Sequence, residues 1–349
     1  MTPVAVRIFH LEPDQDGAPL TRLLVDARLE LAERHAAAFE LAGVADVRII
    51  AGPPDDTSFG ARLRAVLPAD GGIIVVGSGA IPLATAADLR EFVRAASSGG
   101  RIALANNRFS ADIVAISDVA LLRAMPDLPS DNALPRWLEE IAGFAVSDLA
   151  ARYRLQVDLD SPIDLILAGH RANSALAAAR DRLRQVAIVA GDSRAEILIA
   201  GRTSTSTLRW MERHVPARTR ALIEERGMRA ASELALLDAP RQRPPRSLLG
   251  HILDADGPAA LGAIVADLAD AAVIDTRVLL AHRLGLDERS WPDTEDRFAS
   301  DLLLPDLVRD RWLRTLTDAA QDAPVPISLG GHTLVGPGLR LAFRGAARP

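Results

Sequence analysis

Along the first 170 residues the apolar positions fall into two alternating kinds of stretch. Short, nearly continuous runs read as strands: "VAVRIFHL" (4–11), "DVRIIAG" (46–52), "GGIIVVGSG" (71–79), "RIALAN" (101–106), "DIVAIS" (112–117) and "YRLQVDLD" (153–160). Longer runs with apolar residues three and four apart read as helices. These are "LLVDARLELAERHAAAFELAGV" (23–44), "SFGARLRAVL" (58–67), "TAADLREFVRAASSG" (85–99), "DVALLRAM" and "NALPRWLEEIAGF". Thr85 stands where a helix cap belongs, and glycine closes that segment. Strands separated by helices of this length predict a three-layer, mostly parallel α/β sheet over 1–170.

The pattern restarts at 171. "ANSALAAARDRLRQVA" is helical, "EILIAG" (196–201) is a strand, "TSTLRWMERHV" is a helix, and "TRALIEERGMRA" closes that unit. "LDAPRQRPPRS" (237–247), with three prolines, predicts a linker or long surface loop. The last hundred residues read as mainly helical, through "AALGAIVADLADAAVIDTRVLLAHRLG" and "DRFASDLLLPDLVRDRWLRTLTDAAQDA" to a Gly-rich tail, "ISLGGHTLVGPGL". The expectation is therefore a second α/β to mainly helical region over 171–349.

Composition narrows the chemistry. The 349 residues are 49% apolar and 25% charged, a globular balance with room for two domains. No uninterrupted apolar run approaches the roughly 18 residues of a membrane helix. The opening "MTPVAVRIFHLEPDQD" lacks the features of a signal peptide, so a cytoplasmic location without membrane partners is expected. The absence of cysteine excludes disulfides, thiolate metal sites and cysteine nucleophiles. A net charge of −6 argues against nucleic-acid binding. All 40 basic side chains are arginine, so phosphate must be met by guanidinium forks, backbone N–H groups or a metal. A homo-oligomer is compatible with these features.

Three stretches of the first half carry a resemblance. They are "GAPLTRLLVDARLELAERHAAAFELAGVADVRIIAG", "IIVVGSGAIPLATAADLREFV" and "VDLDSPIDLILA". In order and spacing they resemble the nucleotidyltransferase family with a glycosyltransferase-A-type fold, which includes molybdenum-cofactor guanylyltransferases and sugar-nucleotide pyrophosphorylases. The resemblance covers roughly residues 4 to 170. It implies a nucleotide-diphospho-sugar transferase-like sheet, a nucleotide or other phosphorylated small molecule as partner, and Mg2+ as cofactor. The family reaction joins a nucleoside monophosphate to a phosphorylated acceptor and releases pyrophosphate. In the matching positions, Asp158 and Asp160 are the acids that would hold the metal. The chain also departs from the pattern. The usual lysine before Pro19 is Ala18, the usual acid of the turn before Pro82 is Ala80, and the first loop carries Glu12, Asp14 and Asp16, which repel a triphosphate. Two readings follow: a binding protein of this fold, or a catalytically silent regulatory or assembly module.

Candidate ligand contacts in the first half are Ser78 and Gly79 of the turn, and Asn106, Asn107 and Arg108 at a strand end. A plain turn and a polar loop account for the same residues. Asp158, Asp160 and Asp164 also suit a helix entry, with Ser161 capping a helix that starts at Pro162. In the second half, Arg202, Thr203 and Ser204 precede a helix and form an anion cradle or a simple cap. A third reading places an enzyme site around Arg202 to Thr207, served by acids of the last hundred residues. Those acids and histidines include His251, Asp254, Asp256, Asp275, His282, Glu295, Asp296, Asp301 and His332, whose spacing fits surface pairs as well as a metal site.

Overall fold

The computed structural model describes residues 2–12, 18–170, 173–224 and 245–345. They form two compact units, the first built on 2–12 and 25–159, the second on 18–24, 160–224 and 245–345, apart from residues 171 and 172.

The first unit holds a six-stranded sheet. Its strands are β1 (Val4–Leu11), β2 (Asp46–Gly52), β3 (Gly72–Gly77), β4 (Ile102–Ala105), β5 (Ile113–Ile116) and β6 (Ala145–Asp148), in the order β2-β1-β3-β5-β4-β6. β5 runs against both its neighbours and every other pair is parallel, so five strands share one direction. The continuous apolar run of β3 reflects burial on two faces. Ile74 and Val76 pack with Phe39 of α1 (Pro19–Leu41) and Phe92 of α3 (Ala86–Ala96). Ile73 and Val75 pack with Leu63 of α2 (Phe59–Ala65) and Leu138 of α4 (Leu134–Glu140). α3 is specified locally: the Asp88 carboxylate accepts from Thr85 N at 2.9 Å, and Leu89, Phe92, Val93 and Ala96 are buried along one stripe.

Two expectations are corrected here. "YRLQVDLD" is no strand: Tyr153–Leu155 is a short 3₁₀ turn, and Asp158 forms an isolated bridge with Ala80. The edge strand is instead β6, four residues too short to register as a pattern. "DVALLRAM" likewise shrinks to a 3₁₀ turn at Leu121–Ala124.

In the second unit a four-stranded, wholly parallel sheet has the order β10-β9-β7-β8. Its strands are β7 (Glu196–Gly201), β8 (Arg218–Ile223), β9 (Ala271–Asp275) and β10 (Ile327–Gly330). The helices are α5 (Pro162–Leu167), α6 (Ala177–Ala190), α7 (Thr205–His214), α8 (Leu248–Asp256), α9 (Leu261–Leu268), α10 (Thr276–Leu284), α11 (Thr294–Asp301), α12 (Arg311–Gln321), α13 (His332–Val335) and α14 (Gly338–Ala342). α5 packs on α11, α13 and α14. The last hundred residues are mainly helical as expected, and β9 and β10 add two short strands that were not. "AAVID" is a run of four apolar residues closed by Asp275, all buried, and periodicity does not separate such a strand from a buried helix. Part of "TRALIEERGMRA" is β8, and its residues from 225 lie outside the described ones, as do 237–244 of the expected linker. Ser247, from the end of that stretch, caps α8 by accepting from Gly250 N at 2.9 Å. No single helix among the described residues is long and apolar enough to cross a membrane.

Candidate functional site

Open α/β sheets bind ligands beyond the carboxyl ends of strands, where successive connections leave a crevice by turning to opposite sides. In the first unit that crevice lies between β1 and β3, since β2 and β3 flank β1 on opposite sides. Its turn is closed by internal bonds. Ser78 N–H donates to Phe9 O at 2.8 Å, Ser78 Oγ lies 3.1 Å from His10 Nδ1, and Ala80 N–H donates to Gly77 O at 3.0 Å. Gly79 sits close to its neighbours: a Cβ there would stand 3.0 Å from Arg28 Nε and 3.1 Å from Leu159 O, so they would have to shift by a few tenths of an ångström. Burial pushes His35 down to about 4, so the ring is neutral and its Nε2–H donates to Ala80 O at 3.0 Å. Ala80 itself is 3% exposed.

The neighbouring candidates are spent in the same way. Asn106, fully buried, donates to Asp112 and Leu155 O and accepts from Asp112 N and Ile113 N. Asn107 donates to Gln156 at 3.0 Å and accepts from Phe109 N at 2.9 Å. Arg108 donates to Glu139 at 3.0 Å and to Val146 O at 2.9 Å. A cavity of about 80 Å³ lined by Phe9, Phe59, Gly77 and Asp131 lies here, far below the ~300–1,000 Å³ of ligand sites. Restoring the family acid with Ala80→Asp is expected to destabilise the fold by about 3 kcal/mol or more, because the carboxylate would be buried without a partner. Denaturant melts of the variant check this.

In the second unit the corresponding crevice lies between β7 and β9, since β8 follows β7 on one side and β10 follows β9 on the other. Here the sequence puts charge at the strand ends. Arg202, directly after β7, donates through Nε to Asp275 Oδ2 at 2.7 Å and through an Nη to Oδ1 at 3.2 Å. Asp275 is the last residue of β9, its side chain is fully buried, and it accepts from Arg277 N at 3.2 Å as the cap of α10. Gly201, at φ +130°, makes this approach feasible: a Cβ there would lie 2.3 Å from Asp275 Cβ. Ser204 caps α7, accepting from Thr207 N at 3.2 Å. The first-turn amides of Thr205 and Ser206 have no acceptor within the helix. Thr203 is 2% exposed, and its hydroxyl has no hydrogen-bond partner among the described residues. A groove of about 720 Å³ starts at Thr205 and runs between α7 and β8, past Leu208, Arg209, Glu212, Val215 and Thr219.

A second fork lies beside the first. Arg277 donates to both oxygens of Asp301, at 2.5 and 2.7 Å, and to Thr276 Oγ1 at 2.9 Å. Burial opposes the charge on Arg277, but the Asp301 carboxylate outweighs it and holds the guanidinium above its ordinary value. Burial pushes Asp301 up, against the pull of Arg277. Asp164 is pushed up to about 8, by burial first and then by the charge of Asp160, so it carries a proton at neutral pH. One of its oxygens accepts from Asp160 N at 2.9 Å and Ser161 N at 2.7 Å, and the other has no partner among the described residues. The helix-entry role anticipated for this segment is thus realised by Asp164 reaching back to the cap.

The metal readings fare differently. At the position of the family's turn acid stands the buried methyl of Ala80, and Asp160 faces an imidazole, 3.8 Å from His332 Nδ1. Mg2+ is commonly held by one or two carboxylates, with waters and phosphates completing its shell. His251, Asp254 and His282 bring ligand atoms within 4.8 Å of one another. Ser247 N–H, however, donates to His282 Nδ1 at 3.0 Å, so the neutral ring carries its proton on Nε2 and gives it to Asp254 at 3.0 Å. Coordination through Nε2 would turn two N–H donors on each other at Nδ1.

Of the residues expected to bind a ligand, Arg202 meets the acid Asp275, while Ser204 turns to the first turn of α7. Sequence reasoning missed Arg277; its signal was the "DTR" that ends the apolar run "AAVID", which marks a strand end once β9 is recognised. No protein-family model matches the chain, and no curated protein matches it.

Proposed function

We propose that this chain is a nucleotidyltransferase-like protein that binds a phosphorylated small molecule and does not carry out nucleotidyl transfer in the manner of that family. One observation carries the reading: at the β7/β9 crevice a guanidinium is held rigid by a buried carboxylate, next to the open N-terminus of α7. Arginine forks and helix N-termini are two of the phosphate-binding devices open to a protein without lysine.

The mostly parallel sheet of the first unit, covered by helices on both faces, supports a nucleotide-diphospho-sugar transferase-like scaffold. Its closed turn, with Ala80 in place of the acid, favours a silent role in regulation or assembly. Two measurements test the proposal. Pyrophosphate release from nucleoside triphosphates with magnesium is expected to stay at background, and sustained release would refute the silent half. A panel of phosphorylated compounds is expected to raise the melting temperature, ligand at a hundred times its Kd adding about 2.7 kcal/mol of stability. A flat response across the panel would refute the binding half.

A further inference from the structure

We infer that the second unit carries a further binding site, for an aliphatic monocarboxylate, in the cavity between the end of α5, α6 and α14. The cavity holds about 500 Å³, within the ~300–1,000 Å³ of ligand sites.

Local sequence shapes it. Gly169, at φ +94°, ends α5 in a left-handed turn. In that turn Gly169 N–H donates to Ile166 O at 3.1 Å and His170 N–H to Leu165 O at 2.8 Å. The chain then meets α6, where the His170 carbonyl accepts from Arg180 Nη2 at 3.1 Å. Leu183, Arg184 and Ala187 follow Arg180 by three, four and seven positions, so all four share one face of α6, and all four line the cavity.

The lining joins aliphatic walls to a charge that lacks a counter-ion. Ile166, Leu167, Leu183 and Leu341 supply the walls, and no acid lines the cavity among the described residues. Arg184 is matched by Asp181 at 3.1 Å, in a pair open to solvent. Arg180 is half-buried, and its guanidinium meets no carboxylate among the described residues; its side chain bonds the His170 carbonyl. A guanidinium drawn partly out of water costs free energy until an opposite charge meets it. A carboxylate brings that charge in the planar, two-oxygen form that arginine binds best, and its chain covers the aliphatic walls. A single unmatched positive charge suits a monoanion better than a phosphomonoester, which carries about −2.

The test is calorimetric titration of the full chain at neutral pH and constant ionic strength with octanoate, butyrate, 1-octanol, octylamine and octyl phosphate. Wild type, Arg180→Gln and Ala187→Phe are compared. Octanoate is expected to bind wild type, and butyrate more weakly, by up to about fourfold for each methylene lost. The alcohol and the amine are expected to bind at least tenfold more weakly than octanoate, since neither brings a negative charge. Arg180→Gln should weaken octanoate at least tenfold. Ala187→Phe fills the cavity from a partly exposed position and should abolish octanoate binding; if that variant does not fold, Arg180→Gln decides alone. Absence of octanoate binding, equal binding of the alcohol or the amine, or undiminished binding in either folded variant overturns the inference. A tighter, Arg180-dependent response to octyl phosphate overturns the ligand class. The reading of the β7/β9 crevice stands or falls separately, with the phosphorylated compounds.

Discussion

Arg277→Met is expected to cost about 3–5 kcal/mol of stability, the effect of removing one partner from a buried ion pair. The Asp301 side chain is fully buried and gives both oxygens to Arg277, so the substitution strands a carboxylate with no water to receive it. For a unit of this size the melting temperature should fall on the order of 10 °C. Removing the charge altogether, with Arg277→Met and Asp301→Leu together, is expected to recover most of the loss, because two apolar side chains leave nothing to solvate. Arg277→Lys should fall between, since one ammonium does not span both oxygens as the fork does. Thermal and denaturant melts of the three variants decide the matter. A single variant that melts with wild type would show that Asp301 is hydrated.

The second large effect is a pH dependence centred on Asp164. Burial and the nearby charge of Asp160 raise it from an ordinary 3.8 to about 8, so the folded state holds this proton more tightly than the unfolded chain does. The sign follows. Its contribution to stability is fully present below pH 4, declines as pH rises toward 8, and is flat beyond. At about 1.4 kcal/mol per tenfold change in proton affinity, the loss is on the order of 5 kcal/mol. The charges around Asp164 are Asp160 on its own segment, Asp301 of α11 and Arg277 of α10. Asp164→Asn keeps an oxygen for the amides of Asp160 and Ser161 and never ionises. Its stability relative to wild type is therefore expected to improve steadily from pH 4 to pH 8. A difference that stays constant over that range would mean that Asp164 is already ionised in the folded protein.

Some of this molecule is written in local stretches of chain. β2 and β7 occupy 46–52 and 196–201 as their apolar runs predict, and α3 begins where Thr85 and Asp88 can bond each other. Strand interiors, caps and the lack of lysine depend on residues within a few positions, so they are legible without a fold. Tertiary structure alone decided which polar residues face inward. Asn106 at a strand end looks like a ligand contact, yet the segments around Asp112 and Leu155 consume it. β9 could be taken for a helix until β7 and β10 paired with it. The Arg202–Asp275 fork joins residues 73 positions apart. Local propensity carries no information about such pairs. They form because parallel strands bring their carboxyl ends together, and because a buried carboxylate is tolerable only beside a guanidinium.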